Sequence, residues 1–335
     1  MPRNPNIEPK PFALIPIPTQ APDRKPVVTH EKFTGLTGRL ELSFTVASEY
    51  LFVGSGAYEF DPNARGDRPD VWYTFYRRNG KLCVPGTSIK GAIRAIVEAI
   101  SNSCVSQIRR SKEEVQSQQH QPCRFDDEKS LLCPACRLFG ATGKTGYRGR
   151  VHFSDFLPES DVRPEIIKIG ELWEPRRYDS TQRRFYERKR FQPVGDSRPQ
   201  SGFRFVEAVP RGTKFRGTLT IENVSEAELG LVFYAFGWEM KNNQLAVVFV
   251  PKLGGAKPRC LGSASVSLAR IRLWNLTRQG LFTRQEIAER QQLTDFSLRC
   301  LQECRERGLL HLASWNNAVR EFASKTNPPC PGGLY

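Results

Sequence analysis

Cys133 and Cys136 stand in the stretch LLCPACRLFGATGKTGYRGR, residues 131–150, at the spacing that lets two thiolates from adjacent turns converge on one tetrahedral ion. Upstream, His120 and Cys123 repeat that spacing, so HxxC and CxxC together offer four ligands for zinc, with Cys104 as the alternative ligand. Four protein ligands close the shell and make such an ion structural. The same stretch holds GATGKT, part of a phosphate-loop pattern. A Walker loop needs GxxxxGK[ST] between a strand and a helix, but Leu138 stands where the first glycine belongs, and GRVHFSDF after it reads as a strand. No helix N-terminus follows to face a phosphate, which argues against an NTPase.

Three further segments carry chemistry suited to a nucleic-acid backbone. In VPGTSIKGAIR a Pro-Gly turn leads to two hydroxyls, Thr87 and Ser88, at a helix start, with Lys90 and Arg94 one turn apart, a seat for phosphodiesters. EPRRYDSTQRRFYERKRFQP interleaves Arg176, Arg177, Arg183, Arg184, Arg188, Lys189 and Arg190 with Tyr178, Phe185, Tyr186 and Phe191. Cations neutralise phosphates while aromatic faces stack bases, the combination expected for single-stranded nucleic acid. PKLGGAKPRCLGS sets Lys252, Lys257 and Arg259 around glycines that permit close backbone approach to a ligand. Asp61, Asp67 and Asp70 share a loop with Arg65 and Arg68, where a carboxylate can hold a divalent ion, although aspartates in such loops also simply make turns. The four histidines are scattered and give no evident acid-base pair.

The elements that must position these residues follow from pattern and composition. The chain has 335 residues, with 50 Lys and Arg against 35 Asp and Glu, for a net charge of +15. That excess favours a polyanionic partner through counterion release. No apolar run is long enough to span a bilayer and the start lacks a secretory apolar core, so a cytoplasmic protein is expected, with its nine cysteines reduced. Cys83, Cys260, Cys300, Cys304 and Cys330 have no closely spaced partner.

Eight prolines in residues 1–30 read as an extended arm, able to lie on a neighbouring molecule. GRLELSFTVAS alternates as a half-buried strand, and VWYTFY and KLCVP are short strands. GTSIKGAIRAIVEAI places Ile89, Ile93, Ile96, Val97 and Ile100 on one helical stripe, capped by Thr87 or Ser88. FRFVEAV and TKFRGTLTIENV are strands, Ser225 and Glu228 form a capping box for a second helix, and QLAVVFVPKL and ASVSLARIRLW are strands around the glycine loop. The order is strand, helix, strands, helix, strand: an α+β fold with an RRM-like or ferredoxin-like core. Its parts are an arm (1–34), a core (35–275) and a C-terminal extension (276–335) whose pattern from Thr283 to Ala323 is mainly helical. Two insertions interrupt the core, a zinc-binding one at 101–140 and a basic one at 171–204.

VPGTSIKGAIR after a short strand, CPACRLFGATG leading to GRVHFSDF, and LGGAKPRCLGS near the end of the core together resemble the RAMP superfamily of CRISPR-associated proteins, and most closely the backbone subunits of type III effector complexes. The resemblance covers roughly residues 35–275, and KPFALIPIP is similar to the arm of one RAMP branch. It implies an RRM-like core that binds guide RNA, with Ser88, Lys90 and Arg94 on guide phosphates. A thumb-like insertion at 176–190 would splay the duplex of guide and target RNA. It also implies partner subunits, no membrane, and a zinc knuckle at His120, Cys123, Cys133 and Cys136. In cutting members a loop Asp cleaves target RNA with a divalent cation such as Mg2+; the matching residue is Asp70, with Asp67 and Asp61 as lesser alternatives. Two other readings stay open: a non-catalytic RNA-binding scaffold of such a complex, and a zinc-containing RNA-binding protein outside CRISPR.

Overall fold

A computed structural model describes residues 11–106, 118–172, 182–186, 189–195, 198–275, 283–322 and 329–330. From the arm comes a short strand, β1 (Phe12–Pro16), followed by the long alternating strand β2 (Leu36–Val46) and a hairpin of β3 (Gly54–Phe60) and β4 (Val71–Phe75). Helix α1 (Gly86–Ile100) leads to the cysteine-bearing segment with its short helix α2 (Pro134–Phe139), and then to β5 (Val151–Phe153). Next come β6 (Glu165–Gly170), β7 (Gln182–Tyr186), β8 (Phe203–Pro210) and β9 (Lys214–Val224). Helix α3 (Glu226–Ala235) precedes β10 (Ala264–Asn275), and the chain continues through β11 (Thr283–Ile287), α4 (Arg290–Glu306) and α5 (Leu312–Phe322).

The main sheet runs β5-β9-β2-β10-β11, every neighbour antiparallel. Period-two alternation in β2 sends Leu40, Leu42, Phe44 and Val46 inward, where they meet the α1 stripe Ile89, Ile93, Val97 and Ile100 in one core. Its other face is polar, with Glu41 paired to Arg270 and Arg272 of β10. A second sheet runs β6-β8-β4-β3, with β8 and β4 parallel, over a smaller cluster of Ile169, Phe191, Val206, Ala256 and Leu261.

The Ser225 and Glu228 capping box forms as the sequence suggests. Glu228 does more than cap. Arg150, fully buried at the start of β5, pairs with it and donates to the Asn223 (2.6 Å) and Arg137 (3.1 Å) carbonyls, clamping β5 to the head of α3. Helix α3 is apolar on nearly all sides, which requires cover on both faces. The cover comes from the C-terminal segment: α4 lies on α3, and Trp315 of α5 stacks edge-on to Tyr234 at 4.8 Å.

Four expectations are corrected. The tail does not begin as helix at Thr283, because residues Thr283–Ile287 pair with β10 as an edge strand. The arm folds back on its own chain: β1 pairs antiparallel with β7 and buries Ile15 in the core. Neither Thr87 nor Ser88 caps α1, which begins at Gly86 after Pro85, and the first amide donates instead to Asp155 Oδ1 at 2.9 Å. A Cβ at Gly86 would collide with the Phe153 carbonyl, so this close turn needs glycine. Finally, Cys260 and Cys330 are joined in a disulfide rather than being free thiols.

Candidate metal centre and nucleic-acid cleft

Cys133 caps α2 and Cys136 lies in its first turn, so helix geometry presents both sulfurs to one point. Cys123 comes from the preceding loop, and Cys104 from the turn after α1, held by Ser101 Oγ donating to the Val97 carbonyl (2.6 Å) and Ser103 Oγ accepting from the Ala135 amide (3.2 Å). The four sulfurs lie within 4.8 Å of one another, all buried. Cys104 Sγ stands 3.5 Å from Cys136 Sγ and 3.6 Å from Cys133 Sγ. A tetrahedron with Zn–S bonds of about 2.3 Å has edges of about 3.8 Å, so four sulfurs at these spacings can hold an ion such as zinc. Amide groups of Cys133 and Cys104 point at Cys123 and Cys133 sulfurs (3.4 and 3.5 Å), the outer contacts that favour thiolates.

His120 does not complete this set. Its buried Nε2 lies 3.3 Å from Asn102 Oδ1, its carbonyl accepts the Val105 amide at 2.9 Å, and Cys104, the alternative, takes the fourth corner. Spacing along the chain favoured the HxxC pair; what decides is that the turn closing α1 brings Cys104 back onto α2.

Beside this centre opens a cleft of about 770 Å³. Thr87, Ser88 and Arg94 enter from α1, Arg183 and Arg184 from β7, and Gly254, Gly255 and Lys257 from the glycine loop, so three separate sequence motifs share one wall. Thr87 and Ser88, which do not cap the helix, are among its lining residues. Gly254 has φ +72° and abuts the Phe52 carbonyl, an approach open only to glycine. Phe12 and Leu14 of β1, which the sequence marked only as part of an extended arm, also line the cleft.

The cleft cations differ in what holds them. Arg94 donates to Glu98 Oε1 (2.9 Å), the Gly140 carbonyl (3.1 Å) and Cys136 Sγ (3.5 Å). Burial works against its charge, but the Glu98 contact outweighs burial and holds the guanidinium protonated. Arg183 lies behind it, donating to the Ser103 carbonyl (2.8 Å) and 3.6 Å from Glu98 Oε2. Glu98 thus ties two cleft arginines to the cysteine centre. Arg184 sits over the Phe12 ring at 5.1 Å. Lys257 has no ion pair among the described residues, and burial lowers its pKa.

Other residues singled out in the sequence lie elsewhere. Lys90 is outside the cleft, with its pKa lowered by burial and by the charges of Arg94 and Arg148. Phe185 is turned inward against Phe249 (5.3 Å), because pairing of β7 with β1 fixes which side chains face the core, and it is closed to base stacking. Tyr186 meets Phe12 edge-on at 5.7 Å. Arg259 is buried and donates to the Gly170 and Glu171 carbonyls (3.1 and 2.8 Å), and buried Lys252 donates to the Leu261 carbonyl (3.3 Å); both hold loops. Lys189 is half-buried and Arg190 exposed, beside Cys330, whose amide donates to the Arg190 carbonyl at 2.7 Å. Arg176, Arg177, Tyr178 and Arg188 lie outside the described residues.

The three loop aspartates crown the β3–β4 hairpin. Asp61 accepts the Asn63 amide (2.9 Å) as a turn-former, and exposed Asp67 pairs with Arg198 at 2.6 Å. Asp70 is exposed, its carbonyl accepting the Asp61 amide at 2.8 Å. Among the described residues these carboxylates do not gather into a metal-holding group. No described helix is long and apolar enough to cross a membrane.

No curated protein matches the chain. The RAMP superfamily model matches residues 44–247, a span running from the end of β2 past α3 and taking in α1, the cysteine centre and the basic strand β7. A match over more than half of the sequence, including the α1 and β7 segments that line the cleft, places this chain in the RAMP superfamily.

Proposed function

We propose that this chain is a guide-RNA-binding backbone subunit of a type III CRISPR effector complex, working in the cytoplasm with complementary target RNA and neighbouring subunits as partners. The observation that carries the reading is the cleft: in a RAMP-superfamily chain, the α1 hydroxyls, the β7 arginines and the glycine-loop lysine converge on one groove in which four cations face a single carboxylate. Such a groove suits a phosphodiester backbone, with hydroxyls and glycine-loop amides ordering the phosphates that the cations attract. The order β2, α1, β5, β9, α3, β10 with sheet neighbours β5-β9-β2-β10 supports an RRM-like, ferredoxin-like core. Zinc bound by Cys104, Cys123, Cys133 and Cys136 would lock the wall that carries Arg94 and Arg183. Its role is structural, since four thiolates leave no open position.

RNA purified with the protein tests the class: guides of one defined repeat-derived end are expected, and mixed cellular RNA would count against it. Lys257→Glu should weaken binding and reduce the salt dependence by about one phosphate contact.

For cleavage we assign Asp70, whose carboxylate, unlike those of Asp61 and Asp67, is committed neither to a turn nor to an arginine among the described residues. With a divalent cation it would stabilise charge developing at the scissile phosphate. The dispersal of Asp61, Asp67 and Asp70 favours a second reading, a non-cutting scaffold with the same RNA contacts. Target-RNA assays with and without Mg2+ separate them. Asp70→Ala should abolish metal-dependent products while guide binding persists, and an absence of products from the wild type identifies the scaffold.

A further inference from the structure

The β3–β4 hairpin carries an apolar face that the fold leaves uncovered. Tyr58 is opposite Tyr73 and Phe60 opposite Val71, so strand alternation puts all four on one side. They are exposed at 65, 66, 39 and 43 % for Tyr58, Phe60, Tyr73 and Val71. The Tyr58 and Tyr73 rings meet edge-on at 6.5 Å, and the Arg204 guanidinium lies over Tyr73 at 5.4 Å from the adjoining strand β8. Arg204 is also 3.7 Å from Glu171. Toward the tip, Arg65 and Arg68 are exposed and have no ion pair among the described residues, whereas Asp67 is taken by Arg198 and Asp61 by its turn. Glu59 pairs with Trp72 on the opposite side.

This face is continuous with the cleft. Gly54, the first residue of β3, lines the cleft and pairs with Phe75; beyond an irregularity in the strand, Tyr58 pairs with Tyr73, two residues from Phe75 along β4, an advance of about 7 Å at roughly 3.3 Å per residue. Val206, paired with Tyr73, packs in the same small cluster as Ala256 of the glycine loop. A single strand leaving the cleft past Gly54 and Lys257 would therefore run onto the hairpin. Four side chains are too few for a stable protein interface, which takes about 20–30 residues a side, but they match the area of one or two nucleobases. Aromatic faces flanked by arginines are the surface on which bases stack.

We propose that Tyr58, Phe60 and Tyr73 form a base-stacking platform for unpaired RNA nucleotides that emerge from the cleft. The proposal rests on the RNA-binding reading above and adds the site at which bases, rather than phosphates, are held.

The test uses the full chain and a short oligouridine carrying one fluorescent purine. The double variant Tyr58→Ala with Phe60→Ala should bind about ten-fold or more weakly, the range expected for lost base–aromatic stacking, and the purine should no longer be quenched. Tyr58→Trp should retain binding and quenching, while Tyr58→Leu, at least as apolar but without a π-face, should not. Both positions are exposed, so melting temperature should not change. Full affinity and quenching in the double variant, or rescue by leucine, would overturn the platform. A change in sedimentation of the RNA-free protein would also overturn it, by identifying the face as a contact between copies. Binding lost in Lys257→Glu but unaffected in the double variant would overturn the platform and leave the cleft reading intact. No affinity in the wild type would overturn both.

Discussion

Replacing Cys104 by serine and His120 by alanine separates the two ligand sets that the sequence offers. Cys104 Sγ lies 3.5 Å from Cys136 and 3.6 Å from Cys133, whereas His120 Nε2 is engaged with Asn102 at 3.3 Å. A structural zinc site contributes roughly 10–16 kcal/mol of apparent binding energy, so each of four ligands carries about 2.5–4 kcal/mol. Cys104→Ser should therefore weaken zinc binding by roughly 10²- to 10³-fold. Because all four cysteines belong to the main core, that loss also lowers the melting temperature and loosens Arg94 from Cys136. His120→Ala empties a buried site and breaks the contact with Asn102, at about 1–3 kcal/mol of stability, with zinc affinity retained. Metal content by mass spectrometry and competition with a chromogenic chelator measure both. Equal zinc loss in the two variants, or a wild type whose melting is insensitive to chelator, would refute the four-cysteine shell.

Glu228→Gln removes the charged partner of fully buried Arg150 while its amide oxygen can still accept from the Ser225 amide in the α3 capping box, and urea unfolding should show a loss of about 3–5 kcal/mol, the cost of stranding a buried charge. Stability should also depend on pH in a defined direction. Burial holds His120, His152 and His311 below the ordinary histidine value. Burial would raise Glu207 and Glu228, but Arg77 and Arg150 outweigh it and lower both. All five groups bind fewer protons folded than unfolded, so their stabilisation is complete above the unfolded pKa and lost as pH falls. Denaturation midpoints should decline below about pH 6.5 and more steeply below about pH 4.5; constant midpoints from pH 7 to pH 4 would contradict this. Alkylation of the denatured, unreduced protein should label Cys83, Cys300 and Cys304 and spare Cys260 and Cys330.

Local signals in the sequence were enough to place several elements. The α1 stripe, the Ser225 and Glu228 box and the alternation of β2 each depend on neighbours within a turn or two, and all three appear. Features decided by distant segments were not legible. The cap of α1 comes from Asp155, 69 residues along the chain, because β5 and the segment after it pack against the Pro-Gly turn. Cys104 displaces His120 through a turn that spacing rules do not describe. In the basic segment, composition marked Phe185 and Tyr186 alike, and only the pairing with β1 decides that Phe185 faces the core. Lys252, Lys257 and Arg259 looked equivalent around the glycines, yet two are held by carbonyls and one lines the cleft. Three motifs far apart in the chain announced a common chemistry, while their meeting in one groove is a property of the fold.

Photochemical crosslinking of RNA bound to the purified protein, with the attached peptides mapped by mass spectrometry, tests the central claim most directly. The account predicts adducts in the first turns of α1, in β7 and in the glycine loop around Lys257, all reduced in yield in Lys257→Glu. Adducts confined to the polar outer face of the main sheet, around Glu41, Arg270 and Arg272, would contradict it.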